Sequence, residues 1–350
     1  MKTLKVYAVA AAVLTLAGAA YAKGELYSLE RAVTLPSTNT DWDYVKLDPQ
    51  SGRLFVARRK DGLSVFDVRT QRLIKTIENS VGANGPLLLP EFNRGYVAMT
   101  DGSVLIFDLK ALRPIDRVKL DAGGLNGAVY EPTTKRVHVL VGARPDKSTW
   151  YHLDAPTGRL LGKTEFASKK MDDPAADGRG HLYAPLRDQH LVLKLRASDL
   201  KEEARFSLGP CKQPVSVEYD HHADRLLLGC RGDAPVFLAL DPGTGAIVGQ
   251  VPIGRGVDGL ALDETRNRIV TTNGGDATMT LIRRRGPDDY VLEGSVSTRP
   301  RARTMQLDPT DGRVFTVTAN FTLPAADEPN AAPPAVFHPN SFTILTYRPN

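Results

Sequence analysis

Three stretches of this chain share one layout: "YVKLDPQSGRLFVARRKDGLSVFDV" from Tyr44, "DGLALDETRNRIVTTNGGDATMTLI" from Asp258 and "TMQLDPTDGRVFTVTAN" from Thr304. Each has an apolar run, an acidic residue opening a polar turn that ends in Arg, and a β-branched or aromatic run. The turn recurs at Asp48, Leu89, Glu131, Asp177, Asp220, Asp263 and Asp308, with separations from 41 residues (Asp48 to Leu89) to 46 (Glu131 to Asp177). A fixed period of this length constrains the fold more than any composition does, because each repeat must then be one supersecondary unit stacked on its neighbours.

Within each unit the apolar residues alternate or run in blocks of four to seven between Gly, Pro, Asp and Asn, which predicts strands. Second strands read "RLFVA", "RGYVAM", "RVHVLV", "HLYAPL", "RLLLGC", "RIVTTN" and "RVFTVT", and third strands run from "LSVFDV" to "SFTILTY". A fourth strand is visible in only six units, from "LIKTI" to "YVLEGSV". The unmatched "YSLERAVTLP" at Tyr27–Pro36 supplies the seventh. The expected fold is therefore all-β: a seven-bladed β-propeller of four-stranded antiparallel blades, with the N-terminal strand completing the last blade and closing the ring.

The stretch "VPIGRGVDGLALDETRNRIVTTNGGDATMTLI" resembles the repeat of the YVTN-repeat, YncE-like β-propeller family, and "RARTMQLDPTDGRVFTVTANF...SFTILTY" is similar to a last blade of that family. The resemblance covers nearly the whole chain after residue 22 and is clearest in blades 5 to 7. In blade 2 "LLLPEFNRGY" lacks the Asp, and in blade 4 "ADGRGHLY" is truncated. What the resemblance implies is a fold, since the family is not uniform in activity.

The first 22 residues read as a cleaved export signal: Lys2 and Lys5, an apolar stretch from Val6 to Ala20, and the small-x-small site Ala20-Tyr21-Ala22, with cleavage after Ala22. Residues 23–350 are then a single propeller domain in the periplasm, with no integral membrane span. Loss of the two leader lysines lowers the net charge from +5 to +3. That is no nucleic-acid footprint, and nucleic acid is not expected as a partner. With two cysteines, Cys211 and Cys230, in an oxidising compartment, one disulfide is expected, the alternative being two buried free thiols.

Strand order places the loops that begin each blade on the same face as the connections between second and third strands. That face should carry any function. It gathers Trp42, Asp43, Asn126, Lys212, Arg301 and Arg303 as candidate ligand-binding residues for a small anionic ligand or a periplasmic protein. Asp43, Asn126, Asp172 and Asp258, from four blades, are the candidate oxygen ligands for calcium or another divalent cation. The same face receives the Pro-rich loop 320–340, expected to overlie the channel mouth. No Gly-x-Ser-x-Gly elbow, His-Glu-x-x-His, Cys-x-x-Cys or phosphate loop is found. The expected function is non-enzymatic: a ligand- or protein-binding scaffold. The alternatives are a metal-dependent lactonase or esterase using the four oxygen ligands, and an accessory protein of a periplasmic quinoprotein or redox system.

Overall fold

The computed structural model describes residues 26–324 and 334–350. The expected leader at residues 1–22 and the centre of the Pro-rich loop lie outside the described residues. The chain forms seven four-stranded antiparallel sheets, six with their strands in sequence order and one completed by the first strand, and a two-stranded hairpin, Phe321–Thr322 with Val336–Phe337. The innermost strands are Trp42–Asp48, Ala83–Leu89, Leu125–Glu131, Ala175–Ala176, Gln213–Asp220, Val257–Asp263 and Met305–Leu307. Among the described residues no helix is long and apolar enough to cross a membrane.

The ring closes as expected. Blade 7 is built from Met305–Leu307, Val314–Thr318, Thr343–Pro349 and, on its outer edge, Tyr27–Thr34, paired from Tyr27 opposite Pro349 to Thr34 opposite Thr343. The remaining outer strands could template unwanted pairing, but each contains a β-bulge at the same place. Ile74, Ile115, Leu161, Glu203, Val248 and Glu293 are the extra residues in blades 1 to 6, and Glu30 is the extra one in the closing strand. A bulge twists the edge and interrupts its ladder, which opposes pairing with a neighbouring molecule.

The recurrent acidic residue explains the repeat. Asp48, Glu131, Asp220, Asp263 and Asp308 accept hydrogen bonds from backbone N–H groups two or three residues on, at 2.8–3.2 Å, fixing the hairpin between first and second strands. Asp177 in the shortened blade 4 accepts from the Arg179 and His181 N–H groups, two and four residues on. In blade 2, where Leu89 takes this place, the 3-10 turn Pro90–Phe92 replaces it, ending on Asn93 in the left-handed conformation.

Burial follows the same plan. Apolar side chains gather in seven clusters, one at every blade–blade interface, from Phe55 and Val97 between blades 1 and 2 to Trp42 and Phe315 between blades 7 and 1. The cysteines join as expected: Cys211, just before the innermost strand of blade 5, is bonded to Cys230 at the end of the next strand, with Cα atoms 5.3 Å apart. A cross-link spanning 19 residues stabilises by about 3 kcal/mol in the chain-entropy account.

Blade 3 buries an unusual polar chain. His138 and His152 lie opposite each other on adjacent strands, with their Nδ1 atoms 2.9 Å apart, and His152 Nε2 is 2.9 Å from the Thr164 hydroxyl. Burial lowers the His138 pKa to about 3, helped by His152, and lowers that of His152 to about 4. Both rings are neutral in the fold and free to protonate below pH 6.5 once unfolded. Their contribution is therefore intact above pH 6.5 and is lost as pH falls toward 3. Two differentially bound protons give a slope of at most about 2.7 kcal/mol per pH unit. Denaturant melts from pH 7 to 5 should show stability falling with acid, and a His138→Gln/His152→Gln variant should flatten the profile; an unchanged slope would remove this assignment.

Candidate functional site

The mouth of the ring is organised by the same period. Five residues before each turn residue the chain places Asp43, Asn84, Asn126, Asp172, Val215, Asp258 and Arg303, polar in every blade but the fifth. At this point the innermost strand slips register: the ladder shifts between Trp42 and Val45, Ala83 and Gly85, Leu125 and Ala128, and Val257 and Gly259. The extra residue leaves the ladder and its side chain is re-aimed toward the axis. Asp43, Asn126 and Asp258 are therefore strand residues, not the loop residues that the sequence pattern suggests.

A second ring surrounds the first. The ends of the second strands carry Arg59, Arg187 and Arg231 in blades 1, 4 and 5. Arg59 donates to Asp41 at 2.6 Å, Asp43 at 2.8 Å and Asn84 Oδ1 at 2.7 Å. Asn84 donates to the Asn126 carbonyl at 2.7 Å, and Asn126 donates to Asp172 at 3.2 Å. Asp172 is 3.2 Å from Lys170 and 3.4 Å from Arg187, whose other nitrogen donates to Gln213 at 3.0 Å. Gln213 is the ladder partner of Arg231 within blade 5. Arg231 pairs with Asp258, and Arg303 donates to Asp258 at 2.8 Å while lying 3.8 Å from Asp43. The belt thus passes through all seven blades and returns to its start.

Inside the belt is a cavity of about 600 Å³. Asp43, Asn126, Asp172, Asp258, Arg301 and Arg303 line it, so six sequence-selected residues from five blades meet at one site. Lys170, Arg187 and Arg231 join them, with Tyr44, Phe321 and Leu323. Two selected residues do not fit. Trp42 is fully buried, packed on Phe337 and Phe342 at 4.9 and 5.5 Å with the Arg303 guanidinium over its ring, and offers no surface to a ligand. Its alternation with Asp43 puts it on the interface face of the strand. Lys212 is exposed and does not line the cavity.

The four candidate metal ligands do come together, but their chemistry is committed elsewhere. Each carboxylate faces two cations: Asp43 has Arg59 and Arg303, Asp172 has Lys170 and Arg187, and Asp258 has Arg231 and Arg303. Among the described residues no three His, Cys, Asp or Glu side chains are arranged to hold a metal ion. Burial pushes the Asp43 carboxyl up, with Arg303 pulling it down and Asp258 adding to the rise. The three carboxylates are therefore each engaged by guanidinium or ammonium groups.

Arg301 stands apart from the belt. Its guanidinium lies 4.7 Å over Phe321 and 5.9 Å from Phe337, and among the described residues it has no carboxylate partner. Burial, reinforced by Arg303, lowers its pKa. Its backbone is left-handed, φ 64°, and its N–H bonds to the Gly274 carbonyl. A Cβ on Gly274 would lie 2.8 Å from Arg303 Cβ and 3.2 Å from Arg301 Cα, so this segment can approach only a glycine. Five cations against three carboxylates leave the cavity with a net positive field. Its lower wall is Tyr44, whose hydroxyl accepts from Asn126 at 3.3 Å and is kept protonated by burial and by Asp173 and Asp172.

The five-residue offset is a signal within the sequence, and it adds Asn84 to the site. Arg59, Arg187 and Arg231 are less visible, since an Arg closing a strand reads as ordinary turn chemistry.

Comparison with known proteins places the fold. No family model matches the chain, and no curated protein matches it in sequence. Among solved structures, a chain in "Crystal Structure of Mitotic Checkpoint Complex" is similar with a TM-score of 0.72 and 14% identity, over 99% of this chain and 98% of that one. A chain of Kuenenia stuttgartiensis hydrazine synthase is similar with a TM-score of 0.67 and 14% identity, over 81% of this chain and 94% of that one. At such identity the likeness shows architecture alone, and the architecture is that of a seven-bladed β-propeller.

Proposed function

We propose that this chain is a binding propeller of the YVTN-repeat, YncE-like kind, acting in the periplasm, whose channel mouth holds a small organic anion. The observation that carries this reading is Arg301: a guanidinium stacked on Phe321, facing a cavity in which every carboxylate already has two cations. A cation with no carboxylate partner among the described residues, in a partly desolvated pocket, favours an anion, and guanidinium suits a planar carboxylate or a phosphate. The hydrolase reading loses support because the oxygen ligands it needs belong to the salt-bridge belt.

Isothermal titration with acetate, succinate and inorganic phosphate, against choline and calcium as cationic controls, tests the proposal. At least one anion should bind, and Arg301→Ala should weaken it roughly tenfold to a hundredfold. Binding of calcium in place of the anions, or an anion affinity indifferent to Arg301→Ala, would overturn it.

A further inference from the structure

The excess positive charge of the mouth is not spread evenly around it. Asp258 is shared by Arg231 and Arg303, Asp43 by Arg59 and Arg303, and Asp41 pairs with Arg59 at 2.6 Å, so three guanidiniums meet three carboxylates there. Two places among the described residues are left positive. One is Arg301 on blade 7, which has no carboxylate partner. The other is on blade 4, where Lys170 and Arg187 share the single carboxylate of Asp172 at 3.2 and 3.4 Å. The next acid in the chain, Asp173, does not offset them at the mouth. It lines the axial cavity instead, where burial raises its pKa against the pull of Lys46.

The ring sets these two positive poles opposite each other. Blades 4 and 7 are three apart in a cycle of seven, as far as two blades can be, and both poles line the one mouth cavity of about 600 Å³. Local contacts hold them apart. Arg301 is stacked on Phe321 at 4.7 Å with its N–H on the Gly274 carbonyl at 2.8 Å, while Arg187 donates to Gln213 at 3.0 Å. A single small anion therefore neutralises one pole and leaves the other. The electrostatic complement of the whole mouth is two negative charges held apart.

Resting on the anion-binding reading above, we infer that the ligand is a dicarboxylate that spans the mouth, with one carboxylate on Arg301 and the other on Lys170 and Arg187. The Arg301 fork suits bidentate pairing with the first carboxylate. The second shares an ammonium and a guanidinium with Asp172, which cannot satisfy both alone. The linker needs no charge of its own, because the belt between the poles is already neutral.

Isothermal titration on the intact protein compares malonate, succinate, glutarate, adipate, pimelate and suberate with their monomethyl esters, and with inorganic phosphate, whose charges sit on one group. The best diacid should bind about tenfold to a hundredfold more tightly than its own monoester, the range for one added hydrogen-bonded contact to a charged group. It should also bind more tightly than phosphate, and the preference should pass through a maximum along the series, as a fixed span requires. Lys170→Gln leaves Arg187 to match Asp172 and makes the blade 4 pole neutral, whereas Arg301→Ala removes the blade 7 pole. In either variant the preference for diacid over monoester should vanish. The wild-type comparison stands without the variants. Equal affinity of diacid and monoester would overturn the inference, and would leave the anion-binding reading standing if Arg301→Ala weakens both. A preference that is equal at every length, or that survives Lys170→Gln, would also overturn it, since the second carboxylate would then sit elsewhere. Phosphate as the tightest ligand would show that one multivalent group suffices and would reject the span. If no diacid, monoester or phosphate binds, both readings fail.

Discussion

Deletion of the closing strand Tyr27–Thr34 is expected to abolish cooperative folding rather than merely lower stability. In most folds an eight-residue terminal strand is peripheral, but here it belongs to two interfaces at once. Tyr27, 2% exposed, packs in the cluster between blades 6 and 7, and its hydroxyl donates to the Gly312 carbonyl at 2.9 Å. Val33, with Leu35 just beyond the strand, packs in the cluster between blades 7 and 1. Without the strand, Thr343–Pro349 becomes an open edge whose Ile344 and Tyr347 lose their cover, a template for association between molecules. Denaturant melts and light scattering on the truncated chain should show a broad, non-cooperative transition with aggregation. A synthetic peptide spanning residues 26–36, added in trans, should restore a single transition. Tyr27→Ala alone should lower stability by about 3–5 kcal/mol, the range for removing a large buried ring. A truncated chain that melts cooperatively and stays monomeric would show that the ring does not depend on closure.

The second large effect is expected at Asp220 and Arg284, an ion pair between blades 5 and 6. The Asp220 side chain is fully buried and that of Arg284 is 5% exposed. Arg284 also donates to Asn267 Oδ1 at 2.8 Å, while Asp220 accepts from the His222 and Ala223 N–H groups. Removing one partner leaves an uncompensated charge in a dry interface, so Asp220→Ala should destabilise by about 3–5 kcal/mol. Replacing both, as Asp220→Asn/Arg284→Met, should be clearly milder, because no buried charge is left behind. Equilibrium denaturation of the single and double variants decides it. A double variant as unstable as the single ones combined would mean that the charges act independently.

These two predictions differ in how far the sequence foretells them. Closure is legible in the strand count alone, because seven second strands and only six fourth strands leave one strand to be found, and "YSLERAVTLP" is the one spare. The Asp220–Arg284 pair is not legible in that way. Asp220 reads as the turn residue of its blade and Arg284 as one of three consecutive arginines on a strand, and nothing in their 64-residue separation joins them.

The candidate site divides in the same way. Asp43, Asn126, Asp172 and Asp258 fall at equivalent points of a period, and a ring converts equivalent points into neighbours around an axis. Their convergence is therefore readable from spacing. Their partners are not, and the partners decide the chemistry: spacing presents an oxygen-rich set suited to a cation, while Arg59, Arg187, Arg231 and Arg303 turn the same set into salt bridges. Trp42 shows the limit at its sharpest. Adjacency in the sequence groups it with Asp43, yet alternate residues of a strand face opposite ways, and a bulge between Trp42 and Val45 settles which one points inward.

The sequence by itself determined the repeat, the number of blades, the closing strand and the single disulfide, because these depend on local pattern and on counting. Tertiary structure alone decided which charges neutralise one another and that Arg301, among the described residues, is left without a carboxylate partner. Those outcomes depend on side chains from different blades meeting at angströms, a distance that the period of a sequence does not contain.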